Sequence, residues 1–170
     1  MTDAYIARNS TSGKQEEVIA TVTGGTVTEA GDIVALDGTG RLSATIMPVG
    51  IAADTYSGTA AEALTAGDYV YVNSSGEVAK ASAASGGYDA DGFVLSSFSG
   101  GASALVYFEG RNTALSGLTV GSRYYLSSTT AGAITATPVT GAGKRHQYIG
   151  KAVTATSLSF EADDGIVLAQ

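Results

Sequence analysis

The feature that most constrains this chain is one short phrase that occurs three times. Each copy has a turn glycine, a short apolar-rich strand and a polar turn, and the copies begin at Gly31, Gly67 and Gly121. A second predicted strand follows each turn, over residues 41–45, 77–81 and 133–137. Each copy then reaches a glycine with an apolar tail, at Gly50, Gly92 and Gly150. No set of catalytic residue types recurs with the phrase, so the repeat favours a structural or binding protein.

The spacing of the copies restricts the architecture further. The opening glycines are separated by steps of 36 and 54 residues, whereas a regular solenoid needs a steadier step. Many short strands with glycine turns are typical of sandwiches and small barrels. The predicted fold class is therefore all-β, with β-sandwich or small β-barrel modules built from repeated glycine-turn hairpins and an extended N-terminal arm.

The 170 residues fit one domain or two small ones that share a surface. We predict an N-terminal arm over 1–24, a first β domain over 25–112 and a second β module over 113–170. The arm is predicted because residues 8–17 hold no periodic apolar pattern, and it either frays or reaches a neighbouring subunit. Residues 59–64 have the spacing of a helix capping box, and form either a helix of about two turns or a connecting loop.

Composition and charge exclude several classes of function. The formal net charge is −7, which argues against broad nucleic-acid binding and against docking on an anionic membrane. The chain has no Cys, so disulfides and thiolate metal sites are impossible. The first residues lack the apolar core of a signal peptide, and no apolar run approaches the length of a membrane helix. We expect synthesis in a cytoplasm.

The residues that could carry chemistry form no recognisable catalytic or cofactor set. His146 is the single histidine, and no nucleophile-elbow motif accompanies it. The turn Gly141–Lys144 lacks the first glycine and the Ser/Thr of a phosphate-binding loop. The carboxylates either contribute to an oxygen-rich Ca²⁺ site or cap turns, and no full ligand set accompanies them; they are Asp37, Asp54, Asp89, Asp91, Asp163 and Asp164. We therefore predict no enzyme activity, no catalytic residue, no metal ligand and no cofactor.

The tyrosines are the best candidates for contact residues. Tyr69 and Tyr71 alternate with valines and share one sheet face, whereas Tyr124 and Tyr125 point to opposite faces. Tyrosine suits either a core or an interface, because it buries apolar area and keeps a polar tip. With nearby cations, the candidate subunit or capsid contacts are Tyr5, Arg8, Lys14, Tyr69, Tyr71, Arg123, Tyr124, Arg145 and His146.

The order of the glycine-turn segments carries a resemblance to a known family. The segments are Ala30–Val34, Ala66–Val70, Leu115–Leu126, His146–Val153, Leu158–Glu161 and Ile166–Leu168. The last four resemble the C-terminal β module of tailed-phage virion proteins, among them capsid decoration (cement) proteins and some tail-fibre proteins. The first two resemble capsid-cement proteins in particular. Together the segments cover most of residues 26–170.

This resemblance implies a function and its partners. It implies a structural virion protein that binds the outer surface of a mature phage head and stabilises the capsid by bridging capsomers. The implied partner is the major capsid protein, the implied oligomer is a homotrimer, and the implied location is the outer capsid surface after synthesis in the host cytoplasm. No nucleic acid, membrane or catalytic residue is implied.

One alternative stays open from the sequence. The chain is similar enough to tail-fibre modules to be a receptor- or glycan-binding module of a fibre or adhesin. Fibre subunits usually carry long repetitive shafts, which this chain lacks, whereas an exposed aromatic groove with polar ligands would favour glycan binding.

Overall fold

The computed structural model of the chain describes residues 4–8, 11–19 and 54–169, together with the single positions 34, 36, 40 and 42. The chain divides into two compact units, Met1–Ala52 and Ala53–Gln170. Throughout the described ranges the structure is all-β, as predicted, and its strand pairs are antiparallel. The strands are β1 (Ala4–Arg8), β2 (Gln15–Ile19), β3 (Thr55–Thr59), β4 (Tyr69–Val72), β5 (Val78–Lys80), β6 (Gly92–Phe93), β7 (Ser103–Tyr107), β8 (Gly110–Asn112), β9 (Arg123–Leu126), β10 (Ile134–Thr135), β11 (Arg145–His146), β12 (Tyr148–Thr154), β13 (Ser157–Phe160) and β14 (Ile166–Val167).

The N-terminal segment predicted as an extended arm consists of two extended strands that pair with each other. β1 runs antiparallel to β2, with Ala4 opposite Ile19 and Arg8 opposite Gln15. Gly13 has a positive φ of 70° in the connecting turn, where a residue without Cβ is favoured. The segment is thus a β-hairpin within the first unit.

The first sheet of the second unit has the order β5-β4-β6-β7-β3 and closes on itself. A parallel bridge joins Ala60, directly after β3, to Val78 in β5, and the Ala61 amide donates a 2.8 Å hydrogen bond to the Val78 carbonyl. Because β3 and β5 are the two edge strands, the bridge makes the sheet a small barrel. Its interior holds Ala60, Leu64, Val70, Val78, Val94, Ala104 and Val106, all buried.

The second sheet repeats the strand order of the first. Its order is β10-β9-β12-β13-β8, so the central repeat strand again pairs with the two strands that follow it in the phrase. In the first sheet β7 and then β3 follow β6, and in the second sheet β13 and then β8 follow β12 in the same way. The described part of the second unit therefore contains one five-stranded topology twice, with β11 and β14 forming a separate small pair.

The repeat glycine makes the same turn in both sheets. Gly67 and Gly121 have positive φ angles of 96° and 82°, a region that glycine enters without a Cβ penalty. Gly67 donates its amide to the Val94 carbonyl at 2.8 Å, and Gly121 donates to Ala152 at 2.9 Å. The residue after each glycine accepts a 3.0 Å bond from that same partner. The second and third copies of the phrase thus specify the same local structure.

The main core lies between the two sheets. Directly opposed residues on neighbouring strands point to the same face, so Tyr69, Phe93 and Tyr107 form a row across β4, β6 and β7, here called the aromatic row. Phe160 of the second sheet packs on it, with ring centroids 5.9 Å from Tyr69 and 5.6 Å from Phe93. The rest of the second sheet's inner face is supplied by Tyr124, Leu126, Ile149, Ala152 and Leu158.

Two buried amides connect the sheets through polar contacts. The Gln147 side chain accepts a 2.8 Å bond from the Ala90 amide and donates to the Ala90 carbonyl at 3.0 Å. The Asn112 side chain donates to the Gly67 carbonyl at 3.0 Å. Buried polar groups are costly unless paired, so these bonds help to specify how the sheets pack.

Residues 59–64 follow the loop alternative rather than the helical one. Thr59 ends β3, Ala60 and Leu64 form isolated bridges, and the chain bends at Ala61 and Glu62. The Glu62 carboxylate accepts a 3.1 Å bond from the Lys80 amide instead of capping a helix. The competing bridge to β5 therefore determines the local conformation.

The described residues do not test two of the predictions, which are the structure of the first copy of the phrase and the three-part domain division. Most of the first copy of the phrase lies outside the described residues, and of it only Val34, Leu36, Gly40 and Leu42 are described, all exposed. The three-part division into 1–24, 25–112 and 113–170 stays a prediction. Its second boundary falls at the end of β8, which pairs with β13 in the second sheet.

Candidate functional site

Three predicted contact residues belong to the N-terminal hairpin. Tyr5 is half-buried and lies opposite Val18, and Arg8 lies at the end of β1. Lys14 is exposed in the turn, where its amide donates a 3.4 Å bond to the Ser12 hydroxyl. The hairpin therefore presents Lys14 and the 71% exposed Ile6 to solvent.

Tyr69 and Tyr124 lie in the core, which matches the core interpretation of these tyrosines rather than the contact one. Tyr69 is fully buried and Tyr124 is 7% exposed. The Tyr124 hydroxyl accepts a 2.9 Å bond from the Thr119 amide. The Tyr69 hydroxyl makes no hydrogen bond of normal geometry. The Asn112 side chain is near enough to favour ionised Tyr69 slightly, but burial is the larger effect and raises the pKa of Tyr69 well above its usual range.

Tyr71 forms an exposed aromatic pair at the first sheet. Its ring stacks on Tyr88 with centroids 4.4 Å apart and planes inclined by 13°. Partial burial, then the neighbouring Tyr88 and Glu62, raise the pKa of Tyr71 above its usual value. Tyr88 is 56% exposed, so this pair offers an aromatic surface to solvent.

Arg145 is held by contacts inside the protein. Its guanidinium donates to the Gly87 carbonyl at 2.6 Å and forms a 2.8 Å ion pair with Asp89. Arg145 thereby ties β11 to the loop before β6. Its charge is largely compensated where it lies, which leaves less for an external partner.

Arg123 and His146 each contact one of two neighbouring tyrosines, Tyr148 and Tyr125 respectively. The Tyr125 ring lies 5.0 Å from His146 and 6.0 Å from Tyr148, centroid to centroid. The Arg123 guanidinium lies 5.8 Å from the Tyr148 ring centroid, within range of a cation–π contact. We call these four residues the tyrosine cluster. Tyr124 and Tyr125 indeed point to opposite faces, as their adjacency predicts.

Strand pairing brings further cations into register with Arg123. Arg123 lies opposite Lys151, Lys151 opposite Ser159, and Ser159 opposite Arg111. All four side chains point outward and the three cations are exposed. We call Arg123, Lys151 and Arg111 the cation row. Sequence reasoning missed Lys151 and Arg111, although Lys151 follows the repeat glycine just as Phe93 does.

The cation row differs electrostatically from Lys80 and Arg145, which are the two ion-paired cations of residues 54–169. Lys80 is 3.1 Å from Asp68, and Arg145 is paired with Asp89. Within residues 54–169 no carboxylate lies within 4 Å of a cation-row nitrogen. Burial, then the nearby Glu161 carboxylate, raise the pKa of Tyr148, so negative charge lies beside the row without pairing with it.

Four of the carboxylates predicted to cap turns or to bind Ca²⁺ line one surface cavity of about 490 Å³, and they are Asp89, Asp91, Asp163 and Asp164. Asp54 lies elsewhere, and Asp37 lies outside the described residues. Asp89 is bound to Arg145, and Asp91 accepts a 2.9 Å bond from the Val72 amide. In the described ranges no group of three His, Asp or Glu side chains is arranged to hold a metal ion. Asp91 therefore bonds the backbone at the end of β4 and not that of its own turn.

The glycine-rich turn at residues 141–144 leads into the strand β11 rather than into a helix. The Gly143 amide donates to the Leu168 carbonyl at 2.9 Å. Its backbone donor is therefore used within the fold, which is the polar-turn interpretation rather than phosphate binding.

Across the described residues, no helix is long and apolar enough to cross a membrane. The chain matches no protein-family model, and no curated protein matches it significantly in sequence.

Proposed function

We propose that this protein is a structural virion protein which binds the outer surface of a phage head and stabilises the capsid by bridging capsomers. The observation that carries the proposal is the repeated phrase beginning at Gly67 and Gly121. The copy at Gly67 resembles capsid-cement proteins in particular, and the copy at Gly121 resembles the C-terminal β module of tailed-phage virion proteins. The two copies fold alike. A duplicated, closely packed β unit supports a scaffold role better than a catalytic one.

The proposed partners are the major capsid protein and two further copies of this chain in a homotrimer. A trimer that spans several capsomers multiplies contacts which are individually weak, because each further contact forms at high effective concentration. Exposed apolar side chains at the rim of the second unit support such contacts, and they include Val120, Val153, Ile166 and Val167. The role is proposed to be non-enzymatic, on the outer capsid surface of the virion.

Sedimentation with purified heads tests this proposal. The protein is mixed with mature and with immature heads of candidate phages, and the heads are pelleted. We expect co-sedimentation with mature heads at a fixed stoichiometry and a higher temperature of head disruption. Absence of the protein from both pellets would remove the proposed function.

The N-terminal hairpin supplies a second test. Deletion of residues 1–17 removes β1 and most of β2, but it leaves the unit that begins at residue 53 intact. We expect weaker head binding with unchanged far-ultraviolet circular dichroism per residue in the second unit. Equal binding by the truncated and full-length proteins would show that the hairpin is not a contact element.

The Tyr71–Tyr88 pair favours glycan binding as a second candidate function. An exposed tyrosine ring whose orientation is fixed by stacking is a suitable platform for the apolar face of a sugar. Binding of the protein to a panel of immobilised bacterial surface glycans, compared with Tyr88→Ala, tests this candidate. Retention that is lost in Tyr88→Ala supports it, and no retention of either protein contradicts it.

A further inference from the structure

We propose that the cation row of Arg123, Lys151 and Arg111 is the surface by which the second sheet docks on a carboxylate-bearing protein surface of the phage head. This inference rests on the proposed function and specifies which face of the molecule makes the contact. It also states the chemistry of the partner surface, which must supply at least two carboxylates across the row.

These three charges have no ion-pair partner within residues 54–169. The chain holds 9 Lys and Arg against 16 Asp and Glu, so cations have many carboxylates available to them. Lys80 and Arg145 in the same unit are paired at 3.1 and 2.8 Å. Of the four cations of residues 54–169 without an ion pair, Lys144 is half-buried, whereas the three of the cation row are exposed and lie in register on one face.

The positions equivalent to the cation row form a contact face in the first sheet. In the first sheet Phe93 lies between Tyr69 and Tyr107 on the neighbouring strands. In the second sheet Lys151 lies in the same way between Arg123 and Ser159. The aromatic row is covered by the second sheet. The cation row is thus the outward equivalent of a face that already accepts a packed β surface elsewhere in this molecule.

The spacing of the three charges follows from the strands that carry them. Neighbouring strands lie about 4.8 Å apart, which sets Arg123 and Lys151 on adjacent strands and Arg111 about two strand spacings further. A carboxylate between two such cations can accept hydrogen bonds from both. Arg123 is also partly ordered by its contact with the Tyr148 ring, which lowers the entropy lost on binding.

The charges around the cation row favour an acidic protein surface over nucleic acid as its partner. A polyphosphate chain requires a broad basic surface, whereas Glu161 adjoins this row and accepts a 3.3 Å bond from the Ser159 hydroxyl. The whole chain carries −7, which repels a polyphosphate at long range. A protein surface places a few carboxylates opposite the cations and can offer a donor to Glu161.

The experiment compares head binding by the full-length protein and by the variant Arg111→Glu, Arg123→Glu, Lys151→Glu. We expect the triple variant to bind mature heads about tenfold or more weakly, because each lost surface ion pair contributes a modest factor. Each single reversal is compared with Lys144→Glu, which changes the net charge equally but lies outside the row, and this control should bind like the wild type. Circular dichroism verifies folding, and the triple glutamine variant replaces the glutamate one if that fails to fold.

The outcomes separate this inference from the proposed function. If the wild type binds heads and the triple variant binds equally well, the cation row is not the docking surface, and the proposed function stands. If the wild type binds no heads, the proposed function fails and this inference fails with it. If the wild type binds fluorescent single-stranded DNA and the triple variant does not, the partner is nucleic acid and the inference is overturned. Head binding of wild type that weakens with added salt, with a smaller salt dependence in the triple variant, supports it.

Discussion

The two sheets of the second unit share a strand order and a register, yet equivalent positions pack in the core in one sheet and point to solvent in the other. Tyr69, Phe93 and the partly buried Tyr107 form an aromatic row that packs in the core, whereas Arg123, Lys151 and Ser159 form an outward polar row in the second sheet. The backbone plan is the same, so the difference lies in the side chains. One topology has thus been used once to hold the molecule together and once to present charge to solvent.

The strongest test of this comparison is a pair of matched substitutions on the third strand of each repeat. Phe93 is 1% exposed, so Phe93→Ala should lower the free energy of unfolding by about 3–5 kcal/mol. The equivalent Lys151→Ala should change it by less than about 0.5 kcal/mol. Because the chain has no Trp, urea unfolding followed by tyrosine fluorescence and circular dichroism measures both.

Similar losses at the two positions would contradict the assignment of one row to the core and the other to the surface. In that case Lys151 would have to be buried against a second copy of the chain. Repeating the measurement at several protein concentrations distinguishes this outcome, because stability then depends on concentration.

A second pair of substitutions tests the shared part of the plan. Gly92 and Gly150 hold equivalent places, and a Cβ at Gly92 would lie 2.5 Å from the Tyr107 carbonyl oxygen. A Cβ at Gly150 would collide with the equivalent Ser159 carbonyl oxygen. Alanine at either position should therefore destabilise by about 1–3 kcal/mol. Gly100→Ala, whose Cβ would make ordinary contacts of 3.6 Å, serves as the control with little expected effect in thermal unfolding.

The smallest expected effect contrasts the two core tyrosines. Tyr124→Phe removes the acceptor of the Thr119 amide and should cost about 0.5–1.5 kcal/mol. Tyr69→Phe removes a hydroxyl without a hydrogen bond and should leave stability at pH 7 unchanged or slightly higher. Urea midpoints of the two variants measure the difference, and a larger loss in Tyr69→Phe would contradict it.

The pH dependence of Tyr69→Phe sharpens the same contrast. Burial raises the pKa of Tyr69 above that of an unfolded tyrosine, which ionises near pH 10. Below pH 10 both states keep the proton, so the wild type keeps its full stability there. Above about pH 10 only the unfolded state releases it, and the wild type should lose up to about 1.4 kcal/mol per pH unit relative to Tyr69→Phe. Equal alkaline loss in both proteins would show that Tyr69 ionises freely in the fold.

The sequence predicted the local units of this fold better than their long-range arrangement. The alternation at Tyr69–Val72 predicts which side chains share a face, and the glycine phrase predicts the turns at Gly67 and Gly121. Whether a face is covered depends on how sheets pack, which no local pattern contains. Tyr69 and Arg123 were therefore given the same candidate role, although one is buried and the other is outward.

The candidate site needed register as well as pattern. Lys151 and Arg111 lie 40 residues apart in the chain, and β13 lies between them in the sheet. Their alignment with Arg123 follows from three strand pairings that cannot be derived from propensity. The repeat did hold a usable signal, since aligning Gly92 with Gly150 places Lys151 at the position of Phe93.

The parallel bridge between Ala60 and Val78 has a consequence for the behaviour of the protein at high concentration. An open sheet edge offers unpaired amides and carbonyls to any other extended chain, which promotes aggregation. In the first sheet the bridge joins the two edge strands to each other. In the second sheet the edge strands β10 and β8 have only two and three residues. Few backbone groups of these two sheets are therefore left to recruit strands from other copies, which lowers the tendency of these sheets to form fibrils when copies are crowded.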